Sequence, residues 1–418
     1  MSEHLEAAGI EISPGYRASH LEPAPDLVLI GNALSRGNEA VEHVLSAGLH
    51  YDSGPGWLRH AVLRDRKVIA VAGTHGKTTT TSLITWLLES NGYRPGYLIG
   101  GRAKNFELTA DLGAGDVFVI EADEYDTAFF DKRSKFVHYQ PDIFIINNLE
   151  FDHADIFENI EDIQRQFHHA VRTIPANGLI IANADSRYIP ETLDKGCWTP
   201  VKTFGKSPQA DWRLIDKTSG KRYEITRENT KLAEFQSPIA GFHNAMNTTA
   251  AMMAAHHVGL SIEQCLSALI EFKGVRRRLD HYASIRDIHL YDDFAHHPTA
   301  IRSTLETMLD IKQGGRTLCV LEPRSNTMQN GTHRETLKHV FNDADLVYLF
   351  HPADISWDLQ ETADAIGENC HCYKDIEELI GAVCDAARDG DHIVIMSNGG
   401  FHGIHAKLAT RLSDRFDR

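Results

Sequence analysis

The sequence predicts an α/β protein built on parallel sheets, in two successive units that follow a short opening segment. Three observations point there. From Lys67 onward, continuous apolar runs of the kind found in strands buried on both faces alternate with helical stretches. Polar motifs stand at the carboxyl ends of those runs, where open α/β sheets place their ligands. One run, KVIAVAGTHGKTTTTSLITWLLESNGY at residues 67–93, joins a strand to a helix through a loop punctuated by glycine.

Up to Arg66 the chain offers one apolar strand, DLVLIGNA at 26–33, with helical stretches around it. That is too little for an independent core. The next strands are Lys67–Ala72, DVFVIEAD at 116–123, DIFIINNLEFDH at 142–153 and GLIIANAD at 178–185. Residues 200–240 are more polar and alternating, which predicts a small antiparallel excursion. AGFHNAMNTTAAMMAAHHVGL at 240–260 predicts a helix rich in small side chains. A further unit begins near Gly274, with strands IHLYDDF, RTLCVLEP, DLVYLF and DHIVIMSN and helices PTAIRSTLETML and DIEELIGAVCDAA, again the alternation of a doubly wound sheet. The boundaries expected are 1–66, 67–274 and 275–418, in keeping with 418 residues.

Composition is that of an ordinary globular protein, and it excludes several classes. A net charge of −16 argues against a general nucleic-acid binder. No apolar run is long enough to span a bilayer, and no basic-then-apolar leader opens the sequence, so neither membrane nor secretion is expected. Six cysteines lack repeated metal-type spacing and read as reduced thiols of a cytoplasmic enzyme.

The loop at Gly73–Lys77 carries the chemistry. Glycines let successive backbone N–H groups face an anion, and the following helix adds the positive end of its dipole. Lys77 is placed to reach the outer phosphates of a nucleoside triphosphate, and the Thr78 hydroxyl to ligate Mg²⁺. Gly73 and Gly76 enclose two residues, where the general phosphate-binding loop has four. Glu121 ends the next strand and can hold Mg²⁺, and His153 ends the one after. Taken singly, Glu121 reads equally as a helix N-cap aid and His153 as a satisfied loop histidine.

GTHGKTT, EADEYD, NLEFDH, GFHNAMN, GVRRRLD and DDFAHHPT stand in the order seen in Mur-type amide ligases, and the chain resembles that family over most of its length. The resemblance implies a three-domain architecture. Residues 1–66 would be a partial UDP-binding domain, 67–274 a central ATP-binding domain and 275–418 a Rossmann-like ligase domain. It implies ATP and Mg²⁺ as cofactors and an acyl phosphate as intermediate. Gly73, Thr74, His75, Gly76, Lys77, Thr78 and Thr79 would bind ATP, with Thr78, Glu121 and His153 at the metals. Asn244 and Asn247 would face the adenine, Arg278 the γ-phosphate and Asp293 the ribose, with His296 near the nucleotide. Lys77, Arg278 and His153 would be the catalytic groups. Asn105, Arg324, Ser325, Asn326, Ser397 and Asn398 would bind substrate.

IGNALSRGN, EPRSNTM and MSNGGFHGIH resemble the branch of this family that joins L-Ala-γ-D-Glu-meso-diaminopimelate to UDP-N-acetylmuramate during cell-wall recycling in Gram-negative bacteria. Arg324 suits bidentate carboxylate recognition, although without the family context a surface ion pair is as good a reading. Two departures stand out. No G-x-x-G loop precedes Asp26, which predicts an incomplete N-terminal unit and weak UDP-sugar binding. No lysine lies between Lys135 and Lys195, so the carbamoylated lysine of several Mur ligases has no counterpart. A UDP-N-acetylmuramate–L-alanine ligase and an inactive nucleotide-binding remnant are the alternative readings.

Overall fold

The computed structural model describes residues 5–6, 8–218, 220–312 and 314–416. A ten-stranded sheet forms the middle of the molecule. In spatial order its strands are Thr230–Phe235, Tyr223–Arg227, Trp212–Asp216, Val201–Gly205, Leu179–Asn183, Ile143–Ile146, Lys67–Ala72, Val117–Glu121, Gly96–Leu98 and Ala110–Asp111. Every neighbouring pair from Trp212–Asp216 to Gly96–Leu98 is parallel. The chain enters at Lys67–Ala72, builds outward on one side, then crosses to the other at Ile143–Ile146. Lys67–Ala72 therefore stands where the strand order reverses, the place such sheets reserve for ligands.

Burial on both faces explains the unbroken apolar runs. Val68, Ala70 and Ala72 pack with Phe136, Phe144 and Phe167 on one side. Ile69 and Val71 pack with Leu83, Ile84 and Leu87 of the helix Lys77–Glu89 on the other. That helix is buried almost all round despite its four consecutive threonines. Three hydroxyls are satisfied within the helix: Thr81 Oγ1 donates to Lys77 O at 2.8 Å, Ser82 Oγ to Thr78 O at 2.7 Å and Thr85 Oγ1 to Thr81 O at 2.8 Å. The helix Phe242–Val258 packs alongside, its alanines and threonines allowing the close approach.

The excursion over 200–240 is antiparallel only in its last two strands, Tyr223–Arg227 and Thr230–Phe235. Val201–Gly205 and Trp212–Asp216 instead extend the parallel sheet, the latter through two register positions. The remaining large sheet has the order Asp280–Ile285, Ile288–Asp293, His392–Met396, Thr317–Leu321, Leu346–Phe350, Cys370–Tyr373. Only its first pair is antiparallel. The two edge strands, Asp280–Ile285 and Cys370–Tyr373, were not expected from sequence: an edge strand half exposed to water carries no apolar run to announce it. The opening segment likewise holds a second strand, Tyr51–Ser53, parallel to Val28–Ile30. No helix among the described residues is long and apolar enough to cross a membrane.

The threonine-rich helix should tolerate loss of a hydroxyl better than loss of hydrocarbon. Thr85→Val, isosteric and leaving the helix ladder intact, is expected to change stability by less than about 1 kcal/mol. Leu87→Ala should cost about 2–5 kcal/mol. Urea midpoints of the transition reporting the central sheet check both, and equal losses would refute the packing argument.

Candidate active site

The site begins where Lys67–Ala72 ends. Gly73 has φ +135° and Gly76 φ +79°, conformations side chains rarely adopt. Space is lacking as well: a Cβ on Gly76 would lie 2.4 Å from Asn247 Oδ1 and 2.6 Å from Asn147 Nδ2. The loop is stitched to the end of the neighbouring strand. His75 N donates to Asn148 Oδ1 at 2.7 Å, and Glu150 N to Thr74 Oγ1 at 2.9 Å. Asn147 Nδ2 reaches Asn247 Oδ1 at 2.8 Å and Thr80 Oγ1 at 3.0 Å, tying the loop helix to Phe242–Val258. Asn244 completes this brace, with its Nδ2 on Ala240 O at 2.7 Å and its Oδ1 accepting from Asn247 Nδ2 at 3.3 Å.

Lys77 turns back over the loop. Its Nζ donates to Gly73 O at 2.8 Å and to both oxygens of Glu124, at 2.7 and 2.9 Å. Glu124 Oε1 also lies 2.9 Å from His153 Nε2. The side chains of Lys77 and Glu124 are 13% and 3% exposed, so this pair lies inside the protein. Burial alone would push the carboxyl of Glu124 up, yet Lys77 and His153 together hold it down and ionised. Burial likewise opposes the charge on Lys77, and Glu124, Asp123 and Glu121 outweigh it. His153 was expected to share a metal with Glu121; its Nε2 is taken by Glu124 instead. Glu124 was missed in the sequence. It lies three positions past Glu121 in the same string, and only burial distinguishes the two carboxylates.

Glu121 forms a second cluster with Thr78 and Arg278. Thr78 Oγ1 donates to Glu121 Oε1 at 2.9 Å and accepts from Arg278 Nη2 at 3.3 Å, while Gly100 N donates to Glu121 Oε2 at 2.7 Å. Arg278 comes from the far unit and is aimed by its backbone. Arg277 and Leu279 on either side have φ of +60° and +47°, each a strained conformation costing on the order of 1–2 kcal/mol. Asp293 holds the turn, accepting from Leu279 N at 2.5 Å and Ala295 N at 2.7 Å. Expected at a ribose, this buried carboxylate is already occupied by backbone N–H groups. Arg277 is a structural cation, with its Nη2 on Ser397 O at 2.6 Å and Gly399 O at 2.8 Å. Both guanidinium groups lie about 5 Å from the centre of the Phe294 ring, at 5.1 and 5.0 Å.

These clusters open into one cavity of about 1050 Å³ between the two large sheets. Thr74, His75, Gly76, Thr79, Asn244, Asn247 and His296 all line it. The His296 ring sits with Nδ1 2.9 Å from Phe294 O, and burial pulls its pKa down to about 4. Arg324, Ser325, Asn326 and Asn398 line the same cavity. Arg324 is exposed, and among the described residues it has no ion-pair partner within 4.0 Å. It also borders an adjoining cavity of about 820 Å³ that Lys374, His351 and His402 help to line. Asn326 Nδ2 crosses to Asp155 at 2.9 Å. Two expected substrate residues fall elsewhere. Ser397 is buried and bonds Glu322 at 2.5 Å. Asn105 spends its amide on Glu271 O and Lys273 N, at 2.9 and 2.8 Å, outside the cavity.

The family model described as Mur ligase middle domain matches residues 71–255, and the one described as Mur ligase, glutamate ligase domain matches residues 277–399. Two curated relatives are named UDP-N-acetylmuramate–L-alanyl-γ-D-glutamyl-meso-2,6-diaminoheptandioate ligase. The Haemophilus influenzae protein is 47% identical and the Escherichia coli protein 49% identical, each over 99% of this chain and 91% of the relative. A solved murein peptide ligase from Psychrobacter arcticus superposes with TM-score 0.72 at 41% identity, covering 99% of this chain and 91% of that one. The UDP-N-acetylmuramate–alanine ligase of Thermotoga maritima, 22% identical with TM-score 0.81, covers the same shares and shows the shared fold. The chain belongs to the Mur ligase family.

Proposed function

We propose that the chain is an ATP-dependent ligase that joins L-Ala-γ-D-Glu-meso-diaminopimelate to the lactyl carboxylate of UDP-N-acetylmuramate, in the cytoplasm, as a step of peptidoglycan recycling. The observation that carries the reading is the meeting of Lys77, Thr78, Glu121 and Arg278 in one cavity, with Arg278 supplied by the turn that leads into the other sheet. The two relatives of the same full-length match support the choice of substrates. Residues 67–274 would bind ATP, 275–418 the amine component, and 1–66 the uridine end.

In this reading the lactyl carboxylate oxygen attacks the γ-phosphorus and the bond to the β-phosphate oxygen breaks, releasing ADP and leaving an acyl phosphate. The tripeptide amine then attacks the acyl carbon, loses a proton, and inorganic phosphate departs. The residues chiefly orient reactants and stabilise charge on the transferring oxygens. Lys77 exchanges Glu124 for phosphate oxygens, and Glu124 stays paired with His153 when it does. Arg278 approaches the γ-phosphate from the opposite wall. Thr78 and Glu121 offer oxygen donors 2.9 Å apart, of the kind Mg²⁺ takes. Mg²⁺ held there would neutralise phosphate charge. His153, a nitrogen donor engaged by Glu124, serves as a positioning residue. Arg324, exposed beside the adjoining cavity, is free to receive a carboxylate of the diaminopimelate end.

ADP release measured with UDP-N-acetylmuramate and a panel of amines should be strongly favoured by the tripeptide over free L-alanine. Preference for L-alanine would establish the alanine-ligase reading, and no acceptor-dependent release at all would establish the inactive remnant. Lys77→Met should lower turnover by about 10²–10³-fold and also destabilise the fold, because Glu124 loses its main counter-ion. Adding Glu124→Gln should restore the unfolding midpoint without restoring turnover. Recovery of both together would remove Lys77 from the chemistry.

A further inference from the structure

Beside the reactive cluster, at the seam between the two large units, stand His75 of the glycine loop, Glu150, Asp152, His297 and His333. Three of them converge. The ligand atoms of His75, Glu150 and His297 all lie within 4.8 Å of one another, the one such trio of histidines, cysteines or carboxylates among the described residues. His75 Nε2 is 3.5 Å and His297 Nδ1 3.6 Å from Glu150 Oε2. Both separations are too long for good hydrogen bonds. They match the spacing of ligands around zinc, where bonds of about 2.0–2.2 Å in a tetrahedral shell put neighbouring donors roughly 3.3–3.6 Å apart.

The donors are also prepared electronically. His75 Nε2 is buried and has no hydrogen-bond partner. His297 Nε2 faces Phe151 O at 3.3 Å, which puts the ring proton there and leaves the lone pair on Nδ1, the atom facing Glu150. Thr299 N donates to that same Nδ1 at 3.3 Å, a long N-cap bond that a metal at this lone pair would replace. Thr299 Oγ1 donates to Glu150 Oε2 at 2.6 Å and orients the carboxylate. A His₂Glu set suits zinc and leaves a fourth position open, whereas Mg²⁺ requires oxygen ligands.

We propose that His75, Glu150 and His297 form a transition-metal site of zinc type that staples the far unit to the phosphate loop. His75 lies within that loop, two residues before Lys77, and His297 caps the helix Pro298–Ile311 across the cavity. A bound metal therefore holds the cleft closed over the nucleotide position. The site is separate from Thr78 and Glu121, and the inference stands whatever amine the enzyme accepts.

Cobalt(II) tests it on the full chain without nucleotide or Mg²⁺. Wild type should develop the visible d–d absorption of a tetrahedral cobalt centre at about one equivalent, and zinc should displace it. His75→Ala and His297→Ala, residues from different units, should each weaken binding more than about a hundredfold, since loss of second-shell partners already costs 10–100-fold. Far-UV circular dichroism establishes that each variant is folded. His153→Ala should keep the absorption. No tetrahedral signal in wild type, a signal surviving either His75→Ala or His297→Ala in a folded protein, or one lost on His153→Ala would each overturn the assignment.

Discussion

A lysine ammonium largely withdrawn from water organises this molecule. Taking Lys77 and Glu124 out of solvent costs several kcal/mol per ion, and only close contact with good hydrogen bonding offsets it. That contact requires the loop after Lys67–Ala72, the segment after Val117–Glu121 and the segment after Ile143–Ile146 to meet at one edge. Three adjacent parallel strands deliver them there, all pointing their carboxyl ends the same way. In the proposed reading, His153 makes the arrangement reversible. With its ring 2.9 Å from Glu124, the carboxylate keeps a partner when the lysine is drawn toward an anion. In the proposed reading, the ammonium that pairs with Glu124 is the one that meets phosphate.

The cavity is closed by a part of the chain some two hundred residues away, and the junction explains how. Backbone bonds link Arg276 N to Arg102 O and Lys104 N to Gly274 O, each at 2.9 Å, anchoring the far unit at its first residues. Immediately beyond, two positive-φ residues and the buried Asp293 turn Arg278 toward Thr78. Strain stored at such a turn persists only where its surroundings over-determine it, and here Asp293, Phe294 and the Arg277 contacts do so. Opposite, Thr327 Oγ1 bridges the seam, donating to Asp152 at 2.9 Å and accepting from Ala154 N at 3.1 Å. In the proposed reading, a cleft closed from both sides shields the acyl phosphate from water.

Much of this was legible in advance. The strands Lys67–Ala72, Val117–Glu121 and Ile143–Ile146 read clearly because burial on both faces demands unbroken apolar runs. The glycine loop read clearly because few residues other than glycine fit its dihedrals. Less legible were features that depend on a partner distant in sequence. Glu124 and Glu121 are the same residue type in one short string, and their different roles come from Lys77 and Thr78 approaching from another strand. Asn105 and Ser397 look like exposed polar loop residues, yet Asn105 braces Glu271–Lys273 and Ser397 faces buried Glu322. Asp293 ends a strand as a ligand-binding carboxylate would, but the inverted turn at Leu279 claims it.

By itself, then, the sequence determined the parallel sheets, the phosphate loop and the family, because periodicity, glycine placement and motif order are properties of the chain as written. Tertiary structure decided which polar groups are spent on the protein and which remain for a ligand. That division follows from desolvation: once a carboxylate or imidazole is buried, it must take whatever donor, cation or backbone group the packing brings within about 3 Å. No local pattern records what that neighbour will be.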